Sequence, residues 1–343
     1  MSRSRLVKPV AMLAVLTAVW FAGAYGPMAG YVQAVKQGLP DDRIGFAEAS
    51  ADGMSLREWV KSEAAERSIA PTDAVIDRVW KAIPGYEGRE VDVEATVAQA
   101  QSAGLSPNAA DFPWVYRSVS PKIHLDDLPL SPIYRGNPAK PMVALMINVA
   151  WGDEYLPDML DTLDAEKVKA TFFLDGTWLA KHEETARDLL ARGHELSNHA
   201  YTHPNMSRLN EAAQRREIER TEQLLRNLGV HNRWFAPPSG DYNGLTVKTA
   251  SDAGLRTVLW TLDTVDWKHP PASSVIAKIA ANIGPGQLVL MHPTATTRDA
   301  LKGMIQAVRD KGLRLGTVTD TLSETRVDAY KPKENANGTN RRG

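Results

Sequence analysis

Two histidines four residues apart, in Asn198-His199-Ala200-Tyr201-Thr202-His203-Pro204, have the type and spacing to grip one metal ion. Neutral imidazoles are common zinc ligands, and catalytic zinc keeps one position open for water or substrate. Upstream, Gly193-His194-Glu195-Leu196-Ser197 reads as a turn and a short strand, and Pro204 stops a helix from continuing through the pair. His199 and His203 therefore fall where a strand's C-terminal end passes into a loop, a common place for chemistry in α/β proteins. By itself the spacing also describes two polar loop histidines, so the downstream segments decide.

Three further segments repeat one pattern. They are Trp234-Phe235-Ala236-Pro237-Pro238-Ser239-Gly240, Leu259 to Trp267, and Gln287-Leu288-Val289-Leu290-Met291-His292-Pro293. Each opens on a short apolar run typical of a buried parallel strand and ends in polar or proline-containing residues. Helix-like stretches separate them: Arg208–Leu228, Leu245–Ala253 and Ser274–Asn282. Strand, polar tip and helix in repetition predict an α/β fold, a parallel sheet or barrel whose functional groups gather on one face.

In this order the segments resemble the polysaccharide deacetylases, the NodB-homology or carbohydrate esterase family 4 group, over about Met142 to Leu322. The flavour is that of the membrane-anchored, sporulation-type deacetylase-like proteins of Gram-positive bacteria. The resemblance implies a distorted (β/α) barrel, a divalent metal held by Asp-His-His, a carboxylate base, a histidine acid, and an N-acetylated sugar of peptidoglycan or chitin as substrate. Carried over by motif, His199 and His203 are the metal ligands, His292 is the general acid and Asp266 the carboxylate that tunes it. Trp267 and Leu290 match the wall of the pocket that receives the acetyl methyl, with Pro237, Pro238 and Ser239 alongside. A backbone N–H near Ser239 matches the oxyanion donor, a role that survives a change of side chain.

Two motifs depart from the family pattern. Where the family has Thr-Phe-Asp-Asp-Gly, this chain has Met146-Ile147-Asn148-Val149-Ala150. Asn148 therefore holds the base position and Val149 the metal-carboxylate position, yet an amide is no base near neutral pH and an isopropyl group binds no zinc. Ala236 stands where the family's arginine orients the base, and Ser239 at the tyrosine position. Loss of both the base and its arginine is self-consistent, because an unpaired buried guanidinium is costly. Asp153 and Glu154 follow the first strand and are the alternative carboxylates; otherwise they are solvated loop acids. A two-histidine remnant holds zinc weakly or not at all. Two functions remain: metal-dependent de-N-acetylation of cell-wall glycan, impaired by the lost Asp-Asp motif, or a catalytically inactive glycan-binding or wall-interaction protein on the same fold.

The rest of the chain supplies context. Arg3, Arg5 and Lys8 precede an uncharged run, Pro9 to Val35, long enough to cross a bilayer, so residues 1–36 read as a signal anchor with the barrel facing outside the cytoplasm. Ala22-Gly23-Ala24 also resembles a signal-peptide cleavage site, which would make the protein secreted; length favours the anchor. Residues 50–104 read as a small helical region (Ser55–Ala65, Pro71–Ile83 and Val93–Ala103) with Trp59, Val75, Ile76, Val79 and Trp80 on its apolar face. Residues 105–141 read as an irregular connector, 142–322 as the barrel and 323–343 as a disordered tail. The chain has no cysteine, so an exported form relies on its core. A net charge of −1 and no basic stripe with interleaved aromatics argue against a nucleic-acid partner.

Overall fold

The computed structural model describes residues 54–328. The segment 1–36 and the tail beyond Asp328 lie outside the described residues, and no helix among the described residues is long and apolar enough to cross a membrane. The chain divides into two compact units.

The smaller unit comprises the described part of residues 1–67 together with Val91–Val115. Its two helices, Leu56–Arg67 and Val93–Ser102, bury Val60 and Ala100 with Val91 and Phe112. Asp92 starts the second helix by accepting the Ala95 N–H at 2.9 Å, which satisfies one of the donors that a helix N-terminus leaves free. Trp59 packs edge-on to Phe112, ring centroids 4.9 Å apart.

The stretch Pro71–Ile83 is not helical. It belongs to the larger unit and forms an antiparallel hairpin of Val75–Asp77 and Lys81–Ile83. Val75, Ile76 and Val79 are exposed there rather than packed on an apolar helix face. The Asp77 carboxylate accepts the N–H groups of Val79 and Trp80 at 2.7 Å, and Lys81 takes a left-handed φ of 60°. That side-chain turn and the β-branched pair before it outweigh the helical spacing.

The larger unit is built on a curled parallel sheet of β1 (Met142–Val149), β2 (Thr171–Leu174), β3 (Glu195–Asn198), β4 (Trp234–Phe235), β5 (Arg256–Thr257), β6 (Leu262–Asp263), β7 (Leu288–Met291) and β8 (Arg314–Gly316). The order is β6-β7-β1-β2-β3-β4-β5, and β8 pairs with Met142–Ala144 of β1 while β2 pairs with Met146–Val149. Helices α1 (Leu156–Ala165), α2 (Gly176–Leu179), α3 (Glu183–Ala191), α4 (Glu211–Asn227), α5 (Gly244–Asp252), α6 (Ala272–Asn282), α7 (Ala295–Asp310) and α8 (Val318–Leu322) alternate with the strands. No pairing joins the edge strands β5 and β6. Instead Ile133 bridges Val258, and Arg135 bridges Gln287, so the stretch before β1 spans the gap between β5 and β7.

Strand alternation sorts the core into two layers. Val143, Leu145, Ile147 and Val149 pack outward with α1, α6 and α7, whereas Ala144 and Met146 pack inward with Phe173, Trp234 and Leu288. Ser323–Asp328 is tied down: the Glu324 carboxylate accepts the N–H groups of Gly85 and Leu125, and buried Lys140 donates to the Asp320 and Ser323 carbonyls. The polar composition from Ser323 onward therefore overstates disorder in this stretch, because its polar groups find partners.

His194, at the start of β3, is buried edge-on against Phe172 and accepts the Ala170 N–H through Nδ1 at 3.2 Å. Burial first, then the positive charge of Lys169, pushes its pKa down to about 4. A histidine lowered in the folded state gives stability that is complete above its unfolded value of about 6.5 and declines as pH falls to the folded value, here by about 3 kcal/mol. Urea unfolding at pH 7, 5.5 and 4.5 is expected to show a shallower acid loss for His194→Gln, whose amide oxygen can still accept the Ala170 N–H. Parallel curves for variant and wild type would remove His194 as a cause.

Candidate active site

The inner face of the sheet carries the sequence pattern into one place. Counting by twos along β1 leads from Ala144 and Met146 to Asn148, and along β7 from Leu288 and Leu290 to His292. In β3 the outward Leu196 and Asn198 alternate with Ser197 and His199, and in β4 Trp234 is followed two residues on by Ala236. Parallel register brings these strand ends side by side: Asn148 pairs with Phe173, Leu174 with Asn198, Asn198 with Phe235, and Met146 with Leu290. A cleft of about 420 Å³ opens there, lined by Asn148, His199, His203, Ser239, Trp267, Leu290 and His292, with Ala150, Trp151, Trp260 and Asp263.

His199 is buried and its Nδ1 lies 2.7 Å from the Ala236 carbonyl, so Nδ1–H donates and Nε2 keeps its lone pair. Burial, then neighbouring His203, pushes its pKa down to about 3, and the ring is a neutral donor at any ordinary pH. The His203 ring centroid lies 5.1 Å away at 70°. Asn148 is buried, and its Oδ1 meets no hydrogen-bond donor among the described residues. Two imidazoles and an orphan amide oxygen fit a divalent ion held without a carboxylate. Among the described residues no three His, Cys, Asp or Glu side chains gather as a full ligand set. Val149, at the metal-carboxylate position, packs outward in the apolar layer beneath the helices.

Asp266 is wholly buried, accepting the His292 backbone N–H at 2.7 Å and its Nδ1–H at 2.9 Å, with further bonds from the Thr297 and Thr294 hydroxyls. Burial raises its carboxyl, but the bonds from His292 and Thr297 outweigh that and hold it below the usual carboxylate range. Asp266 therefore stands behind His292 rather than in the cleft, leaving the other ring nitrogen of His292 without a fixed partner.

Several expected contributors are elsewhere. Pro237 and Pro238 are buried in the turn below Ser239 and do not line the cleft. Asp153 and Glu154 are exposed on the helical turn before α1 and also do not line it. The reason is Gly152, at φ 81°: a Cβ there would lie 2.0 Å from the Pro293 carbonyl, and this close approach sends the following acids outward. Trp151, Trp260 and Asp263 are in the cleft although the sequence motifs do not single them out. Alternation is a signal for Asp263, since Leu262 packs outward; Trp151 has no signal beyond following Asn148. Backbone strain concentrates here: Ala200, His203, Ser239, Val265 and His269 all have positive φ in the loops beyond the strand ends. Such strain persists where surrounding structure enforces it, commonly at functional sites.

A parallel curled sheet with a histidine pair and an Asp–His dyad at its strand ends is an α/β scaffold whose chemistry-bearing groups gather at one face. Residues 135–258 match the family of polysaccharide deacetylases. An uncharacterised Bacillus subtilis protein, YlxY, is 42% identical over 273 residues, covering 79% of this chain and 85% of that protein. A peptidoglycan-N-acetylglucosamine deacetylase of Bacillus cereus is 34% identical over 185 residues, covering 52% of this chain and 67% of its own length. The crystal structure of a Bacillus anthracis pseudoenzyme of carbohydrate esterase family 4 superposes with a TM-score of 0.75 at 42% identity, covering 80% of this chain and 97% of that one. A mutant of that protein is described as having restored enzymatic activity; it covers 79% of this chain and 99% of its own, at 41% identity and a TM-score of 0.74. The chain belongs to the polysaccharide deacetylase family, carbohydrate esterase family 4.

Proposed function

We propose that this protein binds N-acetylated cell-wall glycan in the cleft and, as it stands, deacetylates it slowly or not at all. The observation that carries this is Asn148: a neutral, buried amide occupies the one strand-end position from which the family's base acts, with Ala236 in place of the arginine. The likeness to a family pseudoenzyme supports the same reading. A divalent ion such as zinc, held by His199, His203 and the Asn148 amide oxygen, would polarise the acetamido carbonyl. The chain's own contribution is to present that donor set with Nε2 of His199 free, and to hold the His292 ring in one orientation through Asp266. Residual deacetylation is the second reading, favoured by the intact Asp266–His292 pair.

Metal analysis of purified protein beside acetate release from peptidoglycan and N-acetylglucosamine oligomers tests both. Zinc below one equivalent, further weakened by at least about tenfold in His199→Ala, is expected, since loss of one of few ligands costs at least that much. Full zinc occupancy that His199→Ala leaves untouched would overturn the metal assignment. Residues 1–36 favour a single-pass anchor with the cleft on the wall side, a placement that protease shaving of intact cells checks.

A further inference from the structure

We propose that Glu217, on α4, is a positioning residue for the metal: its carboxylate holds the loop between His199 and His203 in the conformation that offers both imidazoles to one ion. This rests on the metal reading above. His199 is fixed by its own bond to the Ala236 carbonyl. His203 differs, because among the described residues its ring meets His199 edge-on and is held by no hydrogen bond, so its place follows from its backbone. That backbone is strained. Ala200 and His203 take left-handed φ values of 61° and 55°, which residues other than glycine adopt only where their surroundings enforce it.

The enforcing groups come from α4. Oε2 of Glu217 accepts the Tyr201 N–H at 3.0 Å and the Thr202 N–H at 2.7 Å, and Oε1 accepts the Thr202 hydroxyl at 3.0 Å. One turn further along, the buried Thr221 hydroxyl donates to the Ala200 carbonyl at 2.8 Å. Buried Glu222 accepts the Asn198 side-chain amide at 2.8 Å, and the oxygen of that amide accepts the Ala200 N–H at 2.8 Å. Thr221 and Glu222 therefore fix the chain as far as Ala200, and Glu217 takes the two amides that lead into His203. Glu211 and Glu219 of the same helix pair with Arg215, whereas the Glu217 carboxylate turns to the loop. Beyond His203 the chain is tied separately, because Ser207 donates its N–H and its hydroxyl to Asp241, each at 2.8 Å. Removing the Glu217 carboxylate thus frees the piece that carries His203 and leaves its two ends in place.

The test is zinc affinity of the full-length protein, measured by competition with a chromophoric chelator, beside hydrogen exchange of the Tyr201 and Thr202 amides in the metal-free protein. Glu217→Ala is expected to bind zinc about 10–100-fold more weakly, the usual cost of losing a group that orients a ligand, and to exchange both amides faster. Glu217→Gln is expected to keep the affinity, since its amide oxygen accepts both N–H groups and its NH2 donates to the Thr202 hydroxyl. Glu217→Asp keeps the charge but draws back from the loop, and is expected to bind zinc more weakly than Glu217→Gln. A lower melting temperature in Glu217→Ala with unchanged zinc affinity of the folded protein makes the residue merely structural and overturns the proposal. Glu217→Gln falling as far as Glu217→Ala also overturns it, because charge and not the placing of the loop is then the cause. Absence of zinc binding by the wild type overturns the metal reading and the proposal together.

Discussion

Combining Asn148→Asp, Val149→Asp and Ala236→Arg is expected to raise acetate release from N-acetylglucosamine oligomers by about 10²–10⁴-fold, the contribution of a positioned general base. The three changes depend on one another. Ala236 is buried beside Phe173 and Met146, so an arginine there alone leaves an unpaired charge and costs about 3–5 kcal/mol. The carboxylate introduced by Asn148→Asp relieves that cost by supplying the partner. Val149 lies in the apolar layer outside the cleft, so a carboxylate in its place is unfavourable there, and zinc repays that cost only by drawing the strand end round to bring the carboxylate beside His199 and His203. The triple variant is therefore expected to be less stable than wild type without metal and to regain stability with zinc, by about 2.7 kcal/mol at a hundred times its Kd. Parallel melting and acetate assays check this. A triple variant that binds zinc tightly yet stays inactive shows that the missing carboxylates are not what limits catalysis, whereas a fully active wild type removes the impaired-site reading itself.

Asp266→Ala is expected to lower stability by about 3 kcal/mol, because the His292 N–H, its Nδ1–H and the Thr297 hydroxyl lose a buried acceptor together. For a unit of this size that is a fall of roughly 6–12 °C in melting temperature. The lowered Asp266 carboxyl gives stability that is present above the unfolded value of about 3.9 and is lost as pH falls through its folded value. The variant's acid limb is accordingly flatter. In the triple-variant background the same change is expected to cut activity by about 10²-fold or more, since His292 loses the bond that sets its tautomer. Unchanged activity in that background removes Asp266–His292 from the chemistry and leaves it a structural pair.

Much of the site is legible in the sequence because strand alternation and motif order are local. The runs before His199, Ala236 and His292 predict buried strands, and β3, β4 and β7 lie there. The spacing predicts helices over Arg208–Leu228, Leu245–Ala253 and Ser274–Asn282, and they form as Glu211–Asn227, Gly244–Asp252 and Ala272–Asn282. The first begins later because Asn210, accepting the Ala213 N–H, is the N-cap, with a separate turn at Met206–Arg208 before it. The hairpin at Val75–Ile83 is hidden from the same reading, because periodicity in a short segment does not separate a helix from two strands joined by a side-chain turn.

By itself, the sequence determined which groups can do chemistry and where along each strand they fall: two histidines, an Asp–His pair, an amide where a base belongs. Those facts follow from residue identity and from a period of two that every strand obeys. Only the tertiary structure decided which loop residues join them. Trp151 and Asp263 enter the cleft, while Asp153, Glu154, Pro237 and Pro238 stay out, because loop direction is set by contacts between distant segments. Gly152 against Pro293 sets one of them.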